Sequence, residues 1–165
     1  MTDVVDKETR SRMMSGIHGK NTTPELTIRH ALHSRGFRYL LHSSSLPGKP
    51  DMVFPKYGAV IFVHGCFWHA HDCKYFKLPR SRTEFWREKF KKNKQRDEAA
   101  LATISALGWR VLLIWECATR EIRAGKSSEI FIDVIEQWIT SGTSNAEIGM
   151  DGQLVTLIIN EDSYL

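Results

Sequence analysis

The stretch Asp51-Met-Val-Phe-Pro-Lys-Tyr-Gly-Ala-Val-Ile-Phe-Val-His64 decides the fold of this chain. Two apolar runs rich in β-branched residues, 51–54 and 59–63, flank the turn-forming residues 55–58, which is the pattern of a β-hairpin. An aspartate opens the first strand. Because a carboxylate is costly to desolvate without a partner or a metal, Asp51 at this position indicates a functional group.

Helices and strands alternate on both sides of this hairpin. Thr23 and Pro24 predict a helix N-cap and first helical residue, and Gly36 predicts the helix end. A second helix is predicted to begin near Ser81 or Thr83 and to end at Gly108, and Ser81 and Glu84 have the spacing of a capping box. The other predicted elements are strands at 37–41, 109–115 and 154–159 and a helix at 128–140. The sum is an α/β domain with a mixed sheet, which we divide into an N-terminal arm (1–20), a central domain (21–140) and a C-terminal tail (141–165).

Composition places the chain among ordinary globular proteins. Its 165 residues suit one domain, with 42% apolar and 25% charged residues. The sequence has no apolar run of the length that spans a membrane, about 20 residues. Three cysteines, an odd number, argue against a disulfide framework and predict a reducing, cytoplasmic location. The net charge of +4 is modest, so its distribution matters more than its size.

The segment VHGCFWHAHDC, residues 63–73, contains three of the seven histidines and two of the three cysteines. Structural zinc takes four thiolate and imidazole ligands. Cys66 and Cys117 each follow a predicted strand, and parallel pairing of those strands would bring them together. Cys73 is the third sulfur, and His71 is favoured as the fourth ligand because one short turn presents it together with Cys73. The alternative is that these are buried free cysteines.

Four further residues are candidates for a hydrolytic site. His64 and His69 flank the cysteine-rich loop, and the hairpin places Asp51 beside 62–64. Helical spacing turns the Glu25 carboxylate toward the same face as Ile28 and Leu32. A carboxylate that binds Mg²⁺, with histidines that activate water or protonate a leaving oxygen, suits phosphodiester cleavage.

Basic residues interleaved with aromatic ones run from Arg80 to Arg96. This pattern serves phosphate contact and base stacking. A solvated helix face explains the charges alone about equally well.

Several motifs together resemble the very short patch repair (Vsr) DNA mismatch endonucleases over about residues 3–140. They are Arg10-Ser-Arg12, Leu46-Pro-Gly-Lys-Pro-Asp51, Phe62-Val-His-Gly-Cys-Phe-Trp-His69, Ala70-His-Asp-Cys73, Arg82-Thr-Glu-Phe-Trp86, Lys92-Asn93, Gly108-Trp-Arg-Val-Leu112 and Trp115-Glu-Cys117.

The resemblance implies a restriction-endonuclease-like fold of the PD-(D/E)xK type with a mixed central sheet, helices on its faces and a structural zinc. The acid and lysine of the wider nuclease motif are absent here, and the Vsr family uses histidine instead. Catalysis would then involve Mg²⁺ on the Asp51 carboxylate and the Val63 backbone carbonyl. His69 would activate water, His64 would contact the scissile phosphate or assist the leaving group, and Glu25 would support His69 and the hydrated metal.

The resemblance also implies a zinc site and DNA contacts. The zinc ligands would be Cys66, His71, Cys73 and Cys117.

The implied substrate is double-stranded DNA with a T·G mispair, nicked 5′ of the thymine in very short patch repair of deaminated 5-methylcytosine. We expect a monomer in the bacterial cytoplasm at the nucleoid, with mismatch-repair proteins as candidate partners. The DNA-contacting residues would be Met14 from the minor groove, Phe67, Trp68 and Trp86 from the major groove, and Lys89 and Asn93 at base edges.

Other interpretations remain open from the sequence. Core packing is the alternative for Trp68 and Trp86. At the level of function, the alternatives are a restriction-type nuclease that cuts both strands of a matched site and a non-catalytic, zinc-stabilised DNA-binding module.

Overall fold

The computed structural model of the chain describes residues 6–15, 19–123 and 128–159. Within them, the strands form one six-stranded sheet in the order in which they follow along the chain. The strands are β1 (Leu40–Leu41), β2 (Met52–Phe54), β3 (Ala59–His64), β4 (Arg110–Trp115), β5 (Ala146–Ile148) and β6 (Leu154–Thr156). The helices are α1 (Lys7–Ser15), α2 (Thr23–Ser34), α3 (Thr83–Ala106), α4 (Glu116–Arg123) and α5 (Ser128–Ser141).

The sheet is mixed, as predicted. The pairs β1–β2, β2–β3 and β5–β6 are antiparallel, whereas β3–β4 and β4–β5 are parallel. The predicted hairpin is confirmed, with a 3₁₀ turn and a left-handed Gly58 (φ 59°) between its strands. Gly58 is suited to this turn because left-handed backbone carries little steric penalty in glycine.

Helices cover both faces of the sheet because side chains alternate along each strand. Met52, Ile61 and Leu112 pack against α2 and α5 on one face. Val60, Phe62 and Leu113 pack against α3 on the other face. The fold is therefore a three-layer α/β arrangement whose central strands, β3 and β4, are buried on both sides.

Both predicted helix N-caps need correction. The N-cap of α2 is Thr22, not Thr23, and its hydroxyl accepts a hydrogen bond from the Glu25 N–H at 3.4 Å. α3 begins at Thr83, one of the two predicted starts, but the capping box predicted at Ser81 is wrong, since the N-cap is Arg82, which has a left-handed backbone and no side-chain cap. At the other end of the chain, residues beyond 141 contribute β5 and β6 to the sheet, while the predicted division into arm, domain and tail stays a prediction.

None of the described helices is both long and apolar enough to cross a lipid bilayer.

Candidate active site and metal centre

A cleft of about 1010 Å³ opens where β3 ends. Glu25 reaches it from the first turn of α2, and Asp51 from the residue before β2. His64 is the last residue of β3, and His69 comes from the loop that follows. The structure therefore brings the four predicted catalytic side chains into one cavity.

Asp51 is the acidic group at the centre of the cleft. Its Oδ2 atom accepts a hydrogen bond of 2.7 Å from the backbone N–H of Val63. Burial, with a smaller contribution from the Glu25 carboxylate, raises the pKa of Asp51 to about 7 against the lowering effect of the Val63 N–H. A cation would relieve this desolvated carboxylate. Ligand atoms of Asp51, Glu25 and His42 lie within 4.8 Å of one another, and the two carboxylates are oxygen ligands of the kind that Mg²⁺ prefers.

Glu25 is tied into the start of α2. Its side chain accepts hydrogen bonds from the Asn21 N–H at 3.0 Å and the Thr22 hydroxyl at 3.2 Å. Arg29, one turn further along the helix, donates to the same carboxylate at 3.2 Å. The carboxylate is thus held rigidly at the cleft and is only 3% exposed.

His69 is oriented by a residue that sequence reasoning missed. Its Nδ1 atom shares a very short hydrogen bond with the Asp97 carboxylate, whereas the support predicted from Glu25 stays a prediction. Nδ1 therefore carries the proton toward Asp97, and Nε2 is left to accept one. The spacing along the predicted helix could have identified Asp97, because it lies one helical turn beyond Asn93, which faces the same loop.

His64 stacks on His69 with ring centroids 3.8 Å apart. Burial lowers the pKa of His64 to about 3, with a further contribution from His69. His64 is therefore a neutral imidazole at physiological pH, able to donate or accept one hydrogen bond at a substrate oxygen.

The cysteine cluster forms beside this cleft. The pairing of β3 with β4 places His64 opposite Trp115, so Cys66 and Cys117, each two residues further on, meet as predicted. The Sγ atoms of both lie 3.6 Å from His71 Nδ1, and Cys73 completes a group whose ligand atoms lie within 4.8 Å of one another. This is the donor set and the clustering that a tetrahedral zinc site needs.

The surroundings of the cluster fix its geometry. The His71 ring stacks on Trp115, with centroids 4.0 Å apart and planes 6° from parallel. The Cys117 N–H donates to Cys66 Sγ at 3.3 Å. A hydrogen bond from the Cys117 side chain is the main cause that lowers the pKa of the Cys66 thiol to about 5. A thiol held as thiolate is a prepared metal ligand.

The predicted DNA-contacting aromatics form one cluster against α3. Phe67 packs edge to face on Trp68, Trp86 and Phe90, with centroids 5.1 to 5.4 Å apart. Its ring is thus engaged with other aromatics. Trp68 and Trp86 are half-buried at the same surface.

Lys89 and Asn93 border this cluster. The Lys89 ammonium lies 5.3 Å from the Trp68 ring centre and 5.5 Å from that of Trp86. The Asn93 amide donates to the Trp68 carbonyl at 2.9 Å, so it anchors the loop. Met14 lies in α1, and the prediction for its side chain falls outside what the structure describes.

Comparisons with known proteins agree with the geometry. Residues 2–75 match the family model described as DNA mismatch endonuclease Vsr. The chain is 43% identical to the DNA mismatch endonuclease Vsr of Escherichia coli K12 over 92% of this chain and 97% of that protein. It is 45% identical to the type II nicking enzyme V.XorIIP of Xanthomonas oryzae, over 75% of this chain and 91% of that enzyme. A third relative, V.NmeAIP of Neisseria meningitidis, is 43% identical over 71% and 84% of the two chains.

Proposed function

Because the chain belongs to the Vsr family of DNA mismatch endonucleases, we propose that it nicks one DNA strand 5′ of the thymine in a T·G mispair. Such mispairs arise when 5-methylcytosine deaminates, and the nick initiates very short patch repair. The observation that supports this most is the single cleft that holds Asp51, His64, His69 and Asp97 beside an aromatic and basic surface. The sheet with helices on both faces is consistent with a nuclease fold of the PD-(D/E)xK type.

The proposed metal is Mg²⁺, held by the Asp51 carboxylate and the Val63 backbone carbonyl. When bound, it would supply positive charge to the scissile phosphate and lower the pKa of bound water. Glu25, rigidly held at the edge of the same cleft, would accept hydrogen bonds from the water of the hydrated ion.

The two histidines of the cleft act on the attacking water and on the phosphate or leaving oxygen. His69 Nε2 takes a proton from the attacking water as the water oxygen bonds to phosphorus, and Asp97 stabilises the imidazolium that forms. The bond from phosphorus to the leaving oxygen then breaks, the leaving oxygen takes a proton from solvent water, and the His69 imidazolium returns its proton to solvent. His64, neutral because of its burial, donates a hydrogen bond to the phosphate or the leaving oxygen.

A zinc ion on Cys66, His71, Cys73 and Cys117 would have a structural role. The loop between Val63 and Cys73 carries His64 and His69 as well as Phe67 and Trp68. Fixing both ends of this loop in one metal site would hold the catalytic histidines and the aromatic cluster at a constant separation.

Mismatch selectivity would come from base-stack insertion. Phe67, Trp68 and Trp86 would enter from the major groove and Met14 from the minor groove, while Lys89 and Asn93 would reach base edges. Unstacking costs a few kcal/mol per step and costs least at a mispaired base. The mispair therefore lowers the free energy of the bound state relative to matched DNA.

The biological setting follows from this activity. The relatives named above come from bacteria, and we place the protein in the bacterial cytoplasm at the nucleoid. It would act as a monomer and pass the nicked strand to mismatch-repair proteins.

A nicking assay on paired duplexes tests the function. Two labelled duplexes that differ only in a T·G or C·G pair are incubated with purified protein and Mg²⁺, and each strand is resolved separately. We expect one cut, in the thymine strand of the T·G duplex. Equal cutting of both duplexes, or of both strands, would favour a restriction-type nuclease, and binding without cutting would favour a DNA-binding module.

A further inference from the structure

His42 lies between the two acidic residues of the cleft. Its Nε2 atom is 3.6 Å from Glu25 Oε2, and its Nδ1 atom is 3.8 Å from Asp51 Oδ1. The distance to Asp51 is an electrostatic contact rather than a hydrogen bond. The ring is therefore in contact with both carboxylates of the site.

The backbone of His42 has an unfavourable conformation that places its ring in contact with Glu25 and Asp51. Its φ of 46° lies in the left-handed region, which non-glycine residues adopt at a steric cost and which is enriched at functional sites. Its N–H donates to the Asp51 carbonyl at 3.3 Å, which fixes the two residues opposite each other.

Arg29 determines which nitrogen of His42 carries the proton. One guanidinium nitrogen lies 3.2 Å from Glu25 Oε2 and 3.3 Å from His42 Nε2, and the other donates to Asn21 Oδ1 at 3.0 Å. A guanidinium only donates hydrogen bonds, so His42 Nε2 accepts. The N–H of the ring then lies at Nδ1, the atom that faces Asp51.

The Asp51 carboxylate is thus approached by N–H groups from two directions. The Val63 N–H binds Oδ2, and the Nδ1–H of His42 faces Oδ1. We propose that Arg29 and His42 are positioning residues that set the orientation of Asp51 for its divalent cation, with Arg29 fixing the His42 tautomer. This inference rests on the proposed function, in which Asp51 is a metal ligand.

The tautomer is measured in the metal-free protein. Nitrogen-15 NMR of the His42 ring in wild type, assigned by comparison with H42Q, reports which ring nitrogen is protonated. We expect a neutral ring with the proton on Nδ1, and loss of that preference in R29M. A proton on Nε2 in the wild type, or an unchanged tautomer in R29M, would overturn the proposal.

The effect on the metal is measured by calorimetric titration with Mn²⁺ and by nicking rates across a Mg²⁺ series. H42L, which keeps bulk but neither hydrogen-bonding group, should weaken Mn²⁺ binding and raise the half-saturating Mg²⁺ concentration about 10-fold or more, the usual effect of removing a residue that orients a metal ligand. H42Q keeps one acceptor and one donor, so it should restore most of the affinity.

Two controls separate positioning from a structural effect. H30L changes an exposed histidine of α2 and should leave metal affinity unchanged. H42L should bind a T·G duplex in EDTA as wild type does, because the altered contacts lie at the cation. If H42L binds Mn²⁺ with wild-type affinity while wild type nicks normally, the positioning role is wrong. If wild type shows no Mg²⁺-dependent nicking, the proposed function itself fails.

Discussion

His64 and His69 stack face to face, with ring planes 8° from parallel and centroids 3.8 Å apart. A histidine binds a metal through a lone pair in the plane of its ring, at about 2.0–2.1 Å for zinc. An ion in the plane of one ring would lie outside the plane of the other. The stacked arrangement therefore does not suit a shared metal ion, which supports our proposal that the two rings act side by side on the substrate.

Replacing Asp97 with asparagine should reduce catalysis without reducing DNA binding. The asparagine amide can donate to Nδ1 and so favours the wrong tautomer, with the proton on Nε2 and no acceptor for the proton of water. We expect the nicking rate on T·G duplex to fall by about 100-fold, within the range of general-base contributions. Single-turnover kinetics at saturating enzyme measure this rate.

The matched control for that variant is E98Q, which removes a carboxylate from the neighbouring exposed position of α3. E98Q should nick at close to the wild-type rate. A D97N rate within 2-fold of that of E98Q would show that Asp97 does not orient the catalytic histidine.

The stability of the metal-free protein should depend on Asp51 in a pH-dependent way. The folded-state pKa of about 7 lies above the ordinary aspartate value of 3.8, so the folded protein binds more protons at Asp51 than the unfolded chain does. The stability contribution of this group is fully present below about pH 4 and is lost as pH rises through about 7, a difference of about 4 kcal/mol at 1.36 kcal/mol per pKa unit.

D51N should therefore be more stable than wild type at pH 8 in EDTA and similar to it at pH 4.5, as measured by urea denaturation. Mg²⁺ should stabilise wild type at pH 8 but not D51N. D151N, at an exposed position, serves as the control and should follow wild type. A D51N protein less stable than wild type at pH 8 would contradict the raised pKa.

Local patterns predicted the part of the fold that carries the site. The hairpin and β4 follow from apolar, β-branched runs with turn residues between them, and α5 at Ser128–Ser141 follows from its apolar periodicity. The prediction that parallel strands bring Cys66 and Cys117 together is confirmed by the β3–β4 pairing. These features are visible in sequence because each depends on neighbours along the chain.

What the sequence did not predict depends on tertiary contacts. Asp97 is an acidic residue in a basic run, and only the packing of α3 against the loop brings it to His69. β5 is three residues long, and Ala146 and Ile148 are buried by their place beside β4. The position of His42 depends on a left-handed backbone at the end of β1, for which a histidine gives little signal.

The proposed zinc site predicts different effects of replacing His69 and His71, which lie only two residues apart. H71A removes a ligand of the proposed zinc site and should lose the ion, whereas H69A should keep it. Structural zinc contributes on the order of 10 kcal/mol of apparent folding free energy, so H71A should also unfold at a much lower temperature. Elemental analysis and thermal denaturation of the two purified variants measure these effects.

H69A is the internal control for that comparison, because it removes an imidazole from the same loop. One equivalent of zinc in wild type and H69A, but not in H71A, is the expected result. Zinc retained by H71A and lost by H69A would show that His69, not His71, is the zinc ligand. Wild-type protein that is active without zinc would show that the proposed zinc site is wrong.

Mismatch preference should depend on Trp68. The Trp68 ring contacts both the Lys89 ammonium and the Phe67 ring at the aromatic surface. Its predicted insertion beside the mispair adds stacking that matched DNA gains less easily. Stacking of an aromatic on a base contributes about 1–3 kcal/mol. W68A should therefore weaken binding to the T·G duplex by roughly 10-fold to 100-fold and to the C·G duplex much less, as measured by fluorescence anisotropy in EDTA.

The control is F85A, which removes an exposed ring (45% exposed) of α3 and should not change the ratio of the two affinities. Equal losses on both duplexes in W68A would mean that Trp68 supports the surface without reading the mispair.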